Sequence, residues 1–231
     1  AGTGLRASVL VLGPLLARTG RARVSLPGGC AIGARPIDLH LDALQRMGAE
    51  IAIRHGYVEA SCDRLRGAEI TFGGVTVTGT ENIMMAACLA RGRTLLRRCA
   101  QEPEVVDLAR LLKAMGARIE GEGSEVIAIL GTEGLGGARH EVLPDRIEAG
   151  TYVIAGALAG DEVVVAGCEP SHMTALLDAV RQTGARVTTE RDSVTVSSPA
   201  GGLRACSVRT APYPGFPTDM QAQFMALLTQ A

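Results

Sequence analysis

The stretch Pro27-Gly28-Gly29-Cys30-Ala31-Ile32-Gly33-Ala34-Arg35 sets one thiol among three glycines, with a guanidinium five residues on. Glycines make a loop mobile and open to close approach, and a nearby cation favours thiolate over thiol. Such a cysteine can give up a proton or attack an electrophile, and Arg35 can equally hold an anion. A small residue in a flexible turn accounts for the same spacing, and spacing alone leaves both readings standing. Asp219 heads an apolar helical pattern, Asp219–Ala231, as Glu81 and Glu148 head two others. An acid there meets the positive end of the helix dipole, which explains all three without chemistry. His40, His140 and His172 read as helix or surface histidines, because none has a partner at metal-ligand spacing. The cysteines at 62, 88, 99, 168 and 206 form no C-x-x-C pair and read as small core residues of a reduced, cytosolic protein.

The elements that must carry these residues are written as a repeat. Leu44-Gln-Arg-Met-Gly-Ala-Glu-Ile51, Leu112-Lys-Ala-Met-Gly-Ala-Arg-Ile119 and Val180-Arg-Gln-Thr-Gly-Ala-Arg-Val187 share a pattern. Their glycines, Gly48, Gly116 and Gly184, lie 68 residues apart, and the prolines before them, Pro36, Pro103 and Pro170, lie 67 apart. Proline suits a first helical turn, the apolar stripe Leu41/Leu44/Met47 and its counterparts predict a helix, and glycine supplies the left-handed cap. A strand follows each cap, with alternation over Ile51–Ser61 around a turn at His55-Gly56, over Glu125–Leu130 and over Ser193–Ser197. Second helices are expected at Glu81–Arg91, Glu148–Ala159 and Asp219–Ala231, and the opening segment Arg6–Thr19 fits the same slot. Strands Arg93–Arg97 and Glu162–Ala166 come after the first two. The unit is an α/β repeat of roughly 70 residues that covers its apolar face with its neighbours. Copies two and three run quickly from Cys99 to Pro103 and from Cys168 to Pro170, whereas the first inserts the Cys30 loop before Pro36. Departures of this kind are where function is grafted on a repeat.

The chain has 231 residues, 47% of them hydrophobic, and a net charge of −1, so it can bury a large core and offers no broad basic surface to nucleic acid. Its longest apolar runs, such as Ser8–Ala17, fall short of the roughly 20 residues a membrane span needs. It enters one helical pattern within a few residues of its start and closes inside another, so it reads as an internal fragment.

Extended to Leu26-Pro-Gly-Gly-Cys30 and Pro36-Ile37-Asp38-Leu39-His40, the glycine-rich segment closely resembles the catalytic loop of the UDP-N-acetylglucosamine 1-carboxyvinyltransferase family. Arg6-Ala-Ser with Leu12-Gly-Pro-Leu, Val77-Thr-Gly-Thr-Glu-Asn, Leu143-Pro-Asp-Arg-Ile-Glu148 and Phe216-Pro-Thr-Asp-Met-Gln-Ala-Gln-Phe224 match it in order. The resemblance implies an inside-out α/β barrel, here truncated at both ends, in which two domains of three repeats pack helices inside and sheets outside. Residues 1–143 would be most of one domain and 144–231 the first repeat and following helix of the other. It also implies transfer of the enolpyruvyl group of phosphoenolpyruvate to the 3-hydroxyl of UDP-N-acetylglucosamine, with release of phosphate.

In that reading Cys30 is the acid, forms a covalent adduct with phosphoenolpyruvate and is alkylated by fosfomycin. Asp219 is the base at the sugar hydroxyl. Arg6 and Arg35 hold substrate, Pro36, Ile37, Asp38 and Leu39 border the uracil, and Gly74, Val75, Thr76 and Val77 contact the uridine diphosphate. No cofactor and no metal are implied, and the partners are the two small substrates, with neither nucleic acid nor membrane. The place is the cytoplasm and the pathway peptidoglycan synthesis. An amino-terminal Lys-Asn pair and two further arginines of the family's site are not among these residues, so the 231 residues by themselves are expected to bind poorly and not to turn over. The nearest alternative is 5-enolpyruvylshikimate-3-phosphate synthase, which shares the repeat and the reaction type. A non-catalytic nucleotide-sugar sensor is the alternative from another class.

Overall fold

A computed structural model describes residues 8–26, 37–159 and 161–231. The glycines that mark the repeat do what their spacing demands. Gly48, Gly116 and Gly184 stand at φ of 93°, 102° and 92°, a region in which any side chain is strained. Each ends a helix and turns the chain into a strand.

Three copies of one unit follow. The first is α1 (Leu12–Thr19), β1 (Arg21–Ser25), α2 (Asp38–Arg46) and the hairpin β2 (Glu50–Arg54) with β3 (Tyr57–Ser61). After a short strand β4 (Glu69–Thr71) comes the second, α3 (Val77–Ala87), β5 (Arg93–Arg97), α4 (Pro103–Ala114), β6 (Arg118–Glu120) and β7 (Val126–Leu130). The third is α5 (Arg146–Ala159), β8 (Val163–Ala166), α6 (Thr174–Gln182), β9 (Arg186–Thr189) and β10 (Ser193–Ser197), and α7 (Gln221–Leu228) opens a fourth helix slot. In every copy the last strand lies in the middle, giving sheet orders β1-β3-β2, β5-β7-β6 and β8-β10-β9, all antiparallel. β4 adds itself parallel to β5, Ile70 opposite Leu96. His55 and Gly56, at φ of 50° and 77°, make the tight turn between β2 and β3.

The chain divides into two compact units, Ala1–Glu141 and Val142–Ala231. In the first, α3 packs against α1, α2 and α4, and it is buried nearly all round, through Thr80, Asn82, Ile83, Met84, Ala86 and Ala87. Leu12 and Leu16 of α1, Leu44 of α2 and Val105 of α4 close round it, and Leu96, Ile127 and Ile129 face it from the sheet. Alternation along β5 and β7 sends one face to this core and the other outward. In the second unit α5 holds the corresponding place, with Val153, Ile154 and Ala157 buried against α6, α7 and β10. Gly156 is where α5 meets the sheet, since a Cβ there would lie 2.6 Å from Val196.

Two helix starts differ from expectation. Glu81 does not open its helix, which begins four residues earlier at Val77, and the Gly79 N–H donates to the Thr76 hydroxyl at 3.2 Å. Glu148 stands in the first turn of α5, and the cap is Asp145, whose Oδ1 accepts from the N–H groups of Ile147 at 2.8 Å and Glu148 at 3.1 Å. A hydroxyl or carboxylate able to bind exposed backbone N–H groups decides a helix start, and an acid further along does not. Among the described residues no helix is long and apolar enough to cross a membrane.

Candidate functional site

Arg6, Cys30, Arg35 and Pro36 lie outside the described residues. Of the remaining candidates, two stretches far apart in sequence come together in the first unit. Ile37, buried, takes the cap position of α2 and Asp38 and Leu39 form its first turn, Asp38 exposed and Leu39 half-buried. Gly74, Val75, Thr76 and Val77 form the approach to α3 and its start. They meet at Gly73, where a Cβ would stand 3.5 Å from Leu39 Cδ2. Among the described residues, no atom beyond its chain neighbours comes within 4 Å of the equivalent point at Gly74, and Val75 is exposed, so within them the loop presents an open backbone ledge.

Below that ledge a polar network locks the helices. Asn82 Oδ1 accepts from the Gly13 N–H at 2.8 Å, and its Nδ2 donates to the Val9 carbonyl at 3.1 Å and lies 2.9 Å from His40 Nδ1. His40 Nε2 is 3.4 Å from the Thr78 hydroxyl. His40 is therefore no surface histidine. It is buried, and burial lowers its pKa to about 4, so it is a neutral ring whose Nδ1 accepts from Asn82. One carboxamide thus joins α1, α2 and α3 and sets the first turn of α2 against the start of α3. The Thr80 hydroxyl extends the network by accepting from the Ala100 N–H at 3.1 Å, which ties α3 to the loop before α4.

That loop brings acids. Glu81, half-buried, has its carboxyl raised to about 7 by burial first, then by the charges of Glu104 and Glu102. Arg98, exposed and at φ of 59°, donates from Nη1 to the Gly73 carbonyl at 3.0 Å. Asp219 belongs to the second unit. Phe216 and Phe224, in an edge-to-face contact at 5.2 Å, and fully buried Met220 anchor the short 3₁₀ turn Thr218–Met220 on both sides, which leaves Asp219 exposed on a fixed backbone. Among the described residues no group of three potential metal ligands converges.

Residues 3–231 match the family of EPSP synthase (3-phosphoshikimate 1-carboxyvinyltransferase). The chain belongs to this family. Among curated relatives it is 58% identical over 226 residues to the UDP-N-acetylglucosamine 1-carboxyvinyltransferase of Koribacter versatilis, covering 98% of this chain and 52% of that protein. To the enzyme of the same name from Anaeromyxobacter dehalogenans it is 60% identical over 229 residues, covering 98% and 54%. The chain spans about half the length of the curated relatives it matches. Among solved structures, the enolpyruvyl transferase NikO from Streptomyces tendae superposes with a TM-score of 0.78 at 26% identity, over 96% of this chain and 54% of that one. EPSP synthase from Acinetobacter baumannii shares the fold, with a TM-score of 0.61 at 22% identity over 84% of this chain and 46% of that one. The resemblance read from the Cys30 loop is borne out, and so is the enolpyruvyl transferase fold of repeated α/β units.

Within this enolpyruvyl transferase fold, the sequence motifs missed three residues beside the ledge. Asn82 stood inside a matching motif without a role, and its polar character at a helix position otherwise buried was the available signal. His40 directly follows Leu39, and only packing reveals its burial. Arg98 is in no motif.

Proposed function

We propose that this chain carries part of the site of an enzyme that transfers the enolpyruvyl group of phosphoenolpyruvate to the 3-hydroxyl of UDP-N-acetylglucosamine, a committed step of peptidoglycan synthesis in the cytoplasm. The observation that carries the reading is 57–60% identity, over nearly the whole chain, to proteins named for that reaction. The ledge at Gly73–Thr76 beside Leu39 supports it, because an open backbone loop at a helix start suits a nucleotide diphosphate.

In this proposal the two units are most of the catalytic-loop domain and the start of its partner domain. Cys30 gives its thiol proton to the methylene carbon of phosphoenolpyruvate while the sugar 3-oxygen, relieved of its proton by Asp219, bonds to the adjacent carbon. Phosphate then leaves as a proton departs from the former methylene carbon and the double bond reforms. Arg6 and Arg35 hold the anionic substrates, and Pro36 to Leu39 border the base.

The test is phosphate release by the protein expressed from its native gene, with phosphoenolpyruvate and either UDP-N-acetylglucosamine or shikimate 3-phosphate as acceptor. We expect turnover only with the sugar nucleotide and loss of most of it in Cys30→Ser. Turnover with shikimate 3-phosphate, or unchanged turnover in Cys30→Ser, overturns the reading.

A further inference from the structure

Arg98 occupies a backbone position that asks for a different residue. It follows β5 directly, at φ of 59°. In the next repeat the residue that directly follows β8 is Gly167, at φ of 69°. The two positions correspond through their neighbours. The Cys99 N–H donates to the Glu125 carbonyl at 3.0 Å and the Cys168 N–H to the Asp192 carbonyl at 3.1 Å, each just before the last strand of its repeat. Glycine takes this conformation freely and arginine takes it under strain. His55, the other non-glycine at positive φ among the described residues, sits in a two-residue hairpin turn where that geometry belongs. The backbone therefore gives no reason for arginine at 98, and an outlier of this kind points to what its side chain does.

The side chain is carried to the ledge. Its Nη1 is fixed on the Gly73 carbonyl, one residue from the open space at Gly74, and Gly73 backs on Leu39. This is its one hydrogen bond among the described residues, and no carboxylate there pairs with it. A guanidinium has five N–H donors in a planar fork, so one bond to the Gly73 carbonyl leaves the charge and most of the donors for a ligand at the loop.

We propose that Arg98 is a ligand-binding residue whose guanidinium takes the diphosphate of the sugar nucleotide over the Gly73–Thr76 loop. This rests on the sugar-nucleotide reading above and adds a residue to it. Since a charge-assisted hydrogen bond is about twice as strong as a neutral one, its loss weakens a diphosphate ligand about tenfold or more. A ligand without phosphate loses nothing.

The experiment is ligand-observed NMR titration of the protein expressed from its native gene with UDP and with uridine, beside urea unfolding. Arg98→Gly restores the residue that the next repeat uses and relieves the strain, so we expect a urea midpoint that does not fall, unchanged uridine binding and UDP binding weakened tenfold or more. Arg98→Lys, which keeps charge and loses the fork, should fall between. Equal weakening of UDP and uridine, UDP binding that survives Arg98→Gly, or failure of Arg98→Gly to fold overturns the proposal. If the unmodified protein binds no UDP, the functional reading itself fails and takes this one with it. UDP binding that survives Arg98→Gly removes only the role of Arg98.

Discussion

Replacing Asn82 by alanine removes three buried hydrogen bonds at once. The Gly13 N–H and the Val9 carbonyl would both be left in an interior from which water is excluded, Gly13 being buried and Val9 only 7% exposed. Each orphaned buried backbone group costs about 1–3 kcal/mol, and the lost carboxamide leaves a small cavity, so the expected loss is about 4 kcal/mol. Against a typical total of about 5–15 kcal/mol that is a large share. Asn82→Leu separates the causes, since it fills the volume and leaves both orphans, and we expect it to recover less than about 1 kcal/mol. Gly13→Ala probes the same contact from the other side, because its Cβ would stand 2.3 Å from Asn82 Oδ1 and 2.7 Å from the Asn82 carbonyl. Truncating Asn82 relieves the first clash, so the double variant should lose less than the sum of the two by about 0.5–3 kcal/mol. Urea unfolding by far-ultraviolet circular dichroism, with hydrogen exchange at the Gly13 amide, reads the four variants against the unmodified protein. A loss below about 1 kcal/mol for Asn82→Ala, the value of a single exposed bond, would refute the reasoning.

Glu81 makes stability depend on pH. Its folded pKa of about 7 lies above the usual 4.5, so the folded chain keeps a proton that the unfolded chain has shed, and stability present below about 4.5 is lost by about 7. Glu81→Gln should abolish about 1–2 kcal/mol of that fall, the linkage value being discounted for partial exposure, and equal urea midpoint shifts between pH 4.5 and 8 in both proteins would count against it. The cysteines should label in an order set by burial, which pushes Cys88 up to about 12 and Cys99 to about 11. In timed maleimide labelling at pH 8 with peptide mapping, we expect Cys30 first and Cys88 and Cys99 last, and early label on Cys88 would contradict the burial described.

The repeat was legible because its punctuation is chemical. A glycine at positive φ and a proline at a helix start can be read from residue type alone; Ser193–Ser197 falls where alternation put it, and Arg93–Arg97 where a strand was expected after the second helix. Helix starts were less legible where the acid taken to open the helix is not its cap. Thr76 is followed by Thr78, Gly79 and Thr80, a run with weak helix propensity, and only the cap bond and the packing of α3 make it helical. Motif resemblance singled out Ile37–Leu39 and Gly74–Val77, but their adjacency was not legible, since it depends on Asn82 of α3 meeting His40 of α2, 42 positions earlier. The role proposed for Arg98 could not be read from type, because an exposed arginine after a strand is ordinary until its φ is known.

The bond between Asn82 and Gly13 has a consequence in time. The first sheet can close once Ser61 has left the ribosome, with Arg21 opposite Ser61, yet the carboxamide that matches the Gly13 amide is still 21 residues away. At a synthesis rate of about 5–20 residues per second, the nascent chain waits about one to four seconds with a finished sheet and an α1 that touches β1 and β3 but lacks α3. Throughout that interval Leu12 and Leu16 lack the helix that buries them. A translational pause while the stretch between Ser61 and Asn82 is leaving the ribosome would lengthen this sticky interval, whereas one after Ala87 has emerged would not.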